Sequence, residues 1–305
     1  MFNRVSLATL KRKRMRRSMR RFLRARYESV DMRHLDAGMI FAHRVLKGLY
    51  RSFDPGNKCF DVVSIQTKTG CNYSCPFCPG NKPGRGLYGG APPGAEMDPA
   101  ILKDIAGQLS RSGFRGRISP DLLNEPLMDE RLVEFVSILK RGCPRAFLFI
   151  QTNGSLLDRS LIMELIDAGM DEIYVNDYTE GHVVLDRLAS MPLGKGYRAH
   201  ITPEGRSFKE RLSNRAGNVG IYPVPGEPLR IPCIKPFRQI SIAYDGKAIL
   251  CCQDWQFSQV MGDLSGETLL GIWAGEKYVR VRNGLLNSDR ANNALCARCD
   301  FSGLW

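Results

Sequence analysis

Val62-Val63-Ser64-Ile65-Gln66-Thr67 leads, through Lys68-Thr69-Gly70, into Cys71-Asn72-Tyr73-Ser74-Cys75-Pro76-Phe77-Cys78. The first segment is apolar and β-branched, which reads as a buried strand, so the three cysteines occupy the loop that leaves it. Their spacing is C-x3-C-x2-C. Three thiolates can hold three corners of an iron–sulfur cube and leave the fourth iron open to a ligand, which suits chemistry more than structure. Three buried thiols, or part of a zinc site completed by Cys59, are the plainer alternatives.

Downstream the chain alternates. Helical Pro99–Ser112, Asp129–Arg141, Arg159–Gly169, Val183–Met191 and Phe208–Asn214 precede strand-like Arg117–Leu122, Ala146–Gln151, Glu172–Val175, Tyr197–Thr202 and Val219–Tyr222, respectively. With Val62–Thr67 this makes about six strands separated by helices, the pattern of a parallel sheet curled by right-handed crossovers into a partial (β/α)6 barrel. Ligands of such sheets collect at the carboxyl ends of strands, where the three cysteines fall. A Gly/Pro-rich stretch from Pro79 to Gly94 is long for a loop and suits a cap over that end.

After Pro225-Gly226 the pattern changes. Gln239–Tyr244 and Lys247–Cys251 flank Asp245-Gly246, a hairpin signal, and helical Leu269–Leu286 leads to Cys296 and Cys299. The expected organisation is a basic helical N-terminal extension over 1–58, a barrel over 59–220 and a hairpin-plus-helix domain over 221–305.

The chain has 305 residues, 43% hydrophobic and 25% charged, ordinary for a globular protein. No apolar run approaches the roughly 20 residues of a membrane span, and the N-terminus has no apolar signal core. Ten cysteines in that setting point to a reducing cytoplasm and to metal ligation rather than disulfides. Of the net charge of +13, eleven Lys/Arg lie in residues 1–27 before the first acid, Glu28, so the rest is nearly neutral. Met15, Met19, Phe22 or Leu23, and Tyr27 recur among them at helical spacing. Such an arm suits an anionic membrane surface, RNA or an acidic partner, and equally a solvated extension packed on its own barrel.

Cys233, Cys251, Cys296 and Cys299 form a second set, with Cys296-Ala297-Arg298-Cys299 as a C-x2-C. Four thiolates close a cluster entirely, and they also suit a zinc ribbon. Cys252 is left over: adjacent strand residues point to opposite faces, so it does not share a cluster easily with Cys251. Buried filler is its ordinary role. Cys59 and Cys143 read as buried thiols. His182 opens a helix, and His200, on the fifth strand, is a candidate base if it faces inward.

Taken together these segments resemble the radical S-adenosylmethionine (radical SAM) enzymes with a C-terminal SPASM or twitch extension, over about residues 59–303. Cys71, Cys75 and Cys78 look like the SAM-cluster signature. Asn124-Glu125-Pro126 looks like the motif that receives the SAM amino group, with Leu123-Asn124 where Gly-Gly is usual. Thr152-Asn153-Gly154, Asn214-Arg215-Ala216-Gly217 and the G-x4-C step from Gly246 to Cys251 also match. The resemblance implies two 4Fe–4S clusters, the second held by Cys233, Cys251, Cys296 and Cys299, as in the twitch form. It implies SAM contacts from Asn124, Glu125, Asn153 and Asp177, and a one-electron donor such as flavodoxin or ferredoxin. In that family a 5′-deoxyadenosyl radical abstracts hydrogen from an unactivated carbon.

The likeness is nearest to the aminocyclitol and sugar dehydrogenases and epimerases of antibiotic biosynthesis, which implies a small carbohydrate-type substrate. The expected outcome is redox-neutral epimerisation with Cys252 as hydrogen donor. The alternatives are two-electron dehydrogenation of a secondary alcohol through the auxiliary cluster, or peptide modification.

Overall fold

The computed structural model describes residues 59–80, 86–207 and 212–301. The basic arm and its expected helix and anionic surface lie outside the described residues. Six parallel strands, β1 (Val62–Ile65), β2 (Arg117–Ser119), β3 (Phe147–Thr152), β4 (Glu172–Asp177), β5 (Ile201–Gly205) and β6 (Gln239–Ile242), are followed by antiparallel β7 (Lys247–Ile249) and β8 (Val260–Asp263). They form one sheet in the order β5-β4-β3-β2-β1-β6-β7-β8.

The helices α1 (Pro99–Arg111), α2 (Leu132–Gly142), α3 (Arg159–Asp167) and α4 (Val183–Ser190) fill the crossovers. Local chemistry sets their starts. Asp98 caps α1 by accepting the Ala100 N–H at 2.8 Å, with Pro99 at the first helical position, and Asp158 caps α3 through the Leu161 N–H at 2.8 Å. Their apolar faces (Leu102, Ile105 and Leu109 of α1; Phe135, Val136 and Leu139 of α2) share one core with Val63, Ile65, Ile118, Leu148, Ile150, Ile173, Val175, Ile240 and Ile242.

Those strand residues all lie on one face of the sheet, because the register pairs Val63 with Ile118 and Ile240, and Ile150 with Ile173. The alternate positions form the inner face: Ser64, Arg117, Ser119, Phe149, Glu172, Tyr174, Thr202, Gln239 and Ser241. It is largely polar. Gln239 Nε2 donates to Ser64 Oγ at 3.1 Å and to Ser241 Oγ at 3.2 Å, and Thr202 Oγ1 donates to Glu172 Oε1 at 2.5 Å. A slip of one residue would exchange the two faces, so burial of the apolar set fixes the register.

Three expectations change. The sixth parallel strand is Gln239–Ile242, not Val219–Tyr222, which is a series of turns. It pairs with β1 and still opens the expected hairpin, whose turn residue Gly246 has φ 83°. The fifth strand starts at Ile201, since Lys195–Arg198 coils into a short helix, α5. The helix over 269–286 is broken at Gly275, whose extended ψ of 158° splits it into α7 (Leu269–Ala274) and α8 (Glu276–Leu286); α6 (Lys235–Arg238) and α9 (Ala294–Ala297) complete the set.

Candidate active site

The first cysteine loop is fastened where β1 ends. Gly70 bridges to Asn124, and the Glu125 N–H donates to the Gly70 carbonyl at 3.0 Å. The Tyr73 N–H points at Cys71 Sγ at 3.4 Å, and Asn153 Nδ2 reaches the same sulfur at 3.9 Å and Asn72 Oδ1 at 2.8 Å. Burial pushes the thiol of Cys71 up to about 11; Glu125 and Cys78 add to the rise, whereas N–H contacts oppose it. Burial, then Cys78 and Cys71, pushes Cys75 up to about 12.

Glu125 is 3% exposed. Its Oε1 accepts the Thr152 hydroxyl at 2.5 Å and the Leu127 N–H at 3.2 Å, and its Oε2 accepts the Asn153 N–H at 2.8 Å. Burial raises its pKa despite these bonds. Cys71, Glu125 and Asn153 are thus brought together. Asn124 Oδ1 accepts the Leu122 N–H, while its Nδ2 is sealed without a partner.

Asp177 has another task. Its Oδ1 accepts the Thr179 N–H and hydroxyl, and its Oδ2 accepts the Leu185 N–H at 3.0 Å, so the carboxylate fastens the turn into α4. Burial opposes its ionisation, but those bonds outweigh it and lower the pKa. The neighbouring Asn176, with Oδ1 sealed and unpartnered, is the residue of that turn with capacity left. Tyr178 stacks at 4.9 Å on Phe77 of the cysteine loop.

Cys233, Cys251, Cys296 and Cys299 line a single cavity, together with Lys235 and Arg290. Burial raises Cys251 strongly, Cys296 to about 12 and Cys299 to about 11, and neighbouring thiols push the same way. The Phe301 N–H points at Cys299 Sγ at 3.4 Å. Arg290, 2% exposed, laces the ligand loops: Nε donates to Ile231 O at 2.9 Å, Nη2 to Pro232 O at 3.1 Å, and Nη1 to Phe301 O at 2.8 Å and Cys299 O at 3.5 Å.

Both thiol sets fit iron–sulfur clusters. A bound metal would displace the thiol protons, and N–H groups aimed at sulfur are cluster-tuning contacts. A single tetrahedral ion would draw sulfurs to within about 2.3 Å of one point. A cube instead spreads its thiolates over separate irons.

Between the two sets lies a small apolar cluster of Leu87, Tyr88, Leu123, Trp255 and Phe257, against which both Cys78 and Cys252 pack. The Tyr88 N–H donates to Trp255 O at 2.7 Å, so the described part of the Gly/Pro stretch is tied down near Cys78. Cys252 is half-buried there, beside the Lys235 ammonium. Cys143 is buried as expected, but Cys59 is exposed. His200 precedes β5 and so sits at the amino end of the strands, opposite the cysteine loop; its Nδ1 lies 3.0 Å from Asp171 O. That end offers it no approach to the site as a base.

The inner face carries residues that the motif reading passed over. Gln66 and Ser119 are 0% and 1% exposed, and neither side chain has a partner; nor does Asp121 Oδ1, although the residue as a whole is only part-buried. Their signal was alternation: each is polar and stands two residues beyond another inner-face residue. Burial lifts Asp121 from 3.8 to about 7, against Arg117 and the Gln151 backbone and with Glu125. The folded state therefore holds this proton more tightly than the unfolded chain. Its contribution is complete below about 4 and lost as pH rises to about 7. The thermal midpoint of Asp121→Asn should accordingly gain on that of wild type across this window. A difference flat from pH 4 to 7 would contradict the burial account.

A thiol loop at the carboxyl end of β1, faced by Glu125 and Asn153 and accompanied by a second four-thiol cavity, defines an iron–sulfur enzyme of the radical SAM class. Residues 65–176 match the model of the radical SAM superfamily, and residues 233–300 match that of the SPASM iron–sulfur cluster-binding domain. Its cofactors are SAM and a 4Fe–4S cluster, with an auxiliary cluster.

Among relatives, it is 28% identical over 249 residues to the S-adenosyl-L-methionine-dependent 2-deoxy-scyllo-inosamine dehydrogenase of Niallia circulans, covering 80% of this chain and 94% of that protein. It is similar to the crystal structure of BtrN in complex with AdoMet and 2-DOIA, with TM-score 0.69 and 27% identity over 80% of this chain and 94% of that one. The structure of native anSMEcpe with bound AdoMet shares the fold, with TM-score 0.50 and 11% identity over 73% and 82% of the two chains. No described helix is long and apolar enough to cross a membrane.

Proposed function

We propose that this chain dehydrogenates a secondary alcohol of an aminocyclitol, with Cys71, Cys75 and Cys78 holding the SAM-binding cluster and Cys233, Cys251, Cys296 and Cys299 the auxiliary one. The observation that carries this reading is the likeness, over 94% of its length, to a 2-deoxy-scyllo-inosamine dehydrogenase. Held by these cysteines, SAM and the two clusters would supply the one-electron chemistry that removes a hydrogen atom from the carbinol carbon and takes up one further electron, the hydroxyl proton leaving to solvent. The chain's own part is positional. Glu125 and Asn153 beside Cys71 suit the amino acid end of SAM, and the polar inner face suits a hydroxylated ring. A reductant of the flavodoxin or ferredoxin type belongs to this reading.

Epimerisation, the first expectation, keeps one observation in its favour: the Cys252 thiol lies against the same apolar cluster as Cys78. The experiment is turnover of 2-deoxy-scyllo-inosamine in deuterated water under strict anaerobiosis. Dehydrogenation yields a product lighter by two hydrogens. An isomer of unchanged composition carrying one carbon-bound deuteron would replace this reading with epimerisation, and Cys252→Ala should then abolish that product.

A further inference from the structure

Four unpartnered polar atoms of the inner face gather at the ends of β1 and β2. Gln66 follows β1 and Asp121 follows β2, and the register sets Ser64 beside Ser119, so continued alternation brings Gln66 level with Asp121. Gln66 is five residues before Cys71 and Asp121 four before Glu125, so the group sits just inside the loops that carry the candidate SAM site. It comprises both polar atoms of the Gln66 amide, the Ser119 hydroxyl and Asp121 Oδ1. Elsewhere on this face Gln239 is satisfied by Ser64 and Ser241, and Thr202 by Glu172. Arg117 lies over the Phe149 ring at 4.8 Å. Asn176 Oδ1, at the end of β4, also lacks a partner, so the four atoms at the ends of β1 and β2 are a local concentration.

Buried polar atoms without a partner are costly, so four in one place mark a seat for a polar occupant. Its chemistry can be read from the atoms. Gln66 offers two donors and an acceptor, Ser119 one of each, and Asp121 Oδ1 only accepts when ionised. An apolar ligand would leave all of them unsatisfied. An anion would face Asp121, with Glu125 close behind. Neighbouring hydroxyls on a ring meet the Gln66 and Ser119 groups, and an ammonium meets the carboxylate.

We propose that Gln66, Ser119 and Asp121 form the substrate seat, in which Asp121 receives the ammonium of an amino-substituted, hydroxylated ring and Gln66 and Ser119 take adjacent hydroxyls. The seat deepens the dehydrogenase reading and rests on it. It makes Asp121 the residue that separates an aminocyclitol from the cyclitol bearing hydroxyl in place of the amine. Burial raises Asp121 even against Arg117, and an added ammonium would favour its ionised form.

The test uses the full-length, anaerobically reconstituted enzyme with those two rings. Wild type should favour the aminocyclitol in kcat/KM. Asp121→Asn, nearly isosteric, should lower kcat/KM for the aminocyclitol about 100-fold, mostly through KM, and reduce the preference to less than about threefold. Gln66→Leu should weaken both rings alike, by about tenfold. Iron content and visible absorption of each variant establish that its clusters are loaded, so a folding defect is recognised as such and the other variant decides. A loaded Asp121→Asn that retains the wild-type preference, or a loaded Gln66→Leu that retains both KM values, overturns the seat. Wild type inert towards both rings overturns the dehydrogenase reading itself, a separate result.

Discussion

Replacing Cys71, Cys75 and Cys78 together with alanine is expected to leave about half of the iron of wild type and no measurable SAM cleavage. The three thiols are part-buried to buried on one short loop, and burial with mutual repulsion raises the pKa of Cys71 and Cys75. In that condition they are poor free thiolates, and it is their C-x3-C-x2-C spacing on one loop that suits them as ligands. Removing all three leaves no partial cube. The Cys233 set lines its own cavity, so its iron should remain, with the visible absorption of one cluster. Iron counting and SAM cleavage under strong reduction give the two readouts. Full iron in the triple variant would show that this loop is not a ligand.

Much of this was legible before any coordinates. Strands β1 to β4 and helices α1 to α3 follow strong periodic signals, α4 a weaker one, and Asp98-Pro99 and Asp158 announce two helix starts outright. Asn214 was singled out as part of a recurrent segment, and it ties the ends of the second site together: its amide donates to Arg298 O at 2.8 Å and its N–H to Asp300 Oδ1 at 2.7 Å. What misled was local resemblance without tertiary partners. Val219–Tyr222 has strand-like residues but turns instead, and the strand beside β1 comes from twenty residues later. Tyr197-Arg198 looks like the opening of a strand, yet Arg198 donates to the Leu188 and Met191 carbonyls and holds a helical turn. His200 was misplaced by the same error, since a strand beginning at Ile201 leaves it at the wrong end.

The candidate site was legible where covalent spacing defines it and obscure where folding assembles it. Cysteine spacing is written in the chain, whereas the seat of Gln66, Ser119 and Asp121 exists only once β1 and β2 pair. Asp177, at the end of the fourth strand, suits a SAM or polyol contact or a turn on sequence alone, and its side chain closes the turn, the usual behaviour of aspartate leaving a strand.

Arg290 was silent in the sequence for the same reason, and its replacement carries the other large expected effect. It donates to Ile231 and Pro232, immediately before Cys233, and to Cys299 and Phe301 at the other end of the ligand set. It therefore positions two segments more than sixty residues apart in sequence that must meet for four thiols to face one cavity. Arg290→Met keeps much of the volume and removes every donor. At about 1–3 kcal/mol for each buried carbonyl left without one, the loss is about 3 kcal/mol or more, enough to lower the thermal midpoint by several degrees. The auxiliary set should lose its metal, taking iron to about half, while Cys71, Cys75 and Cys78 keep theirs and SAM cleavage persists without dehydrogenated product. Arg290→Lys preserves charge but offers a single ammonium where a fork spans four carbonyls, so it should fall between. If Arg290→Met binds full iron and melts within about 1 °C of wild type, the two loops hold themselves and Arg290 is merely packed against them. If iron is lost equally from both sites, the cysteine loop of β1 depends on the auxiliary domain for its fold, and the half-iron expectation for the triple cysteine variant must be read in that light.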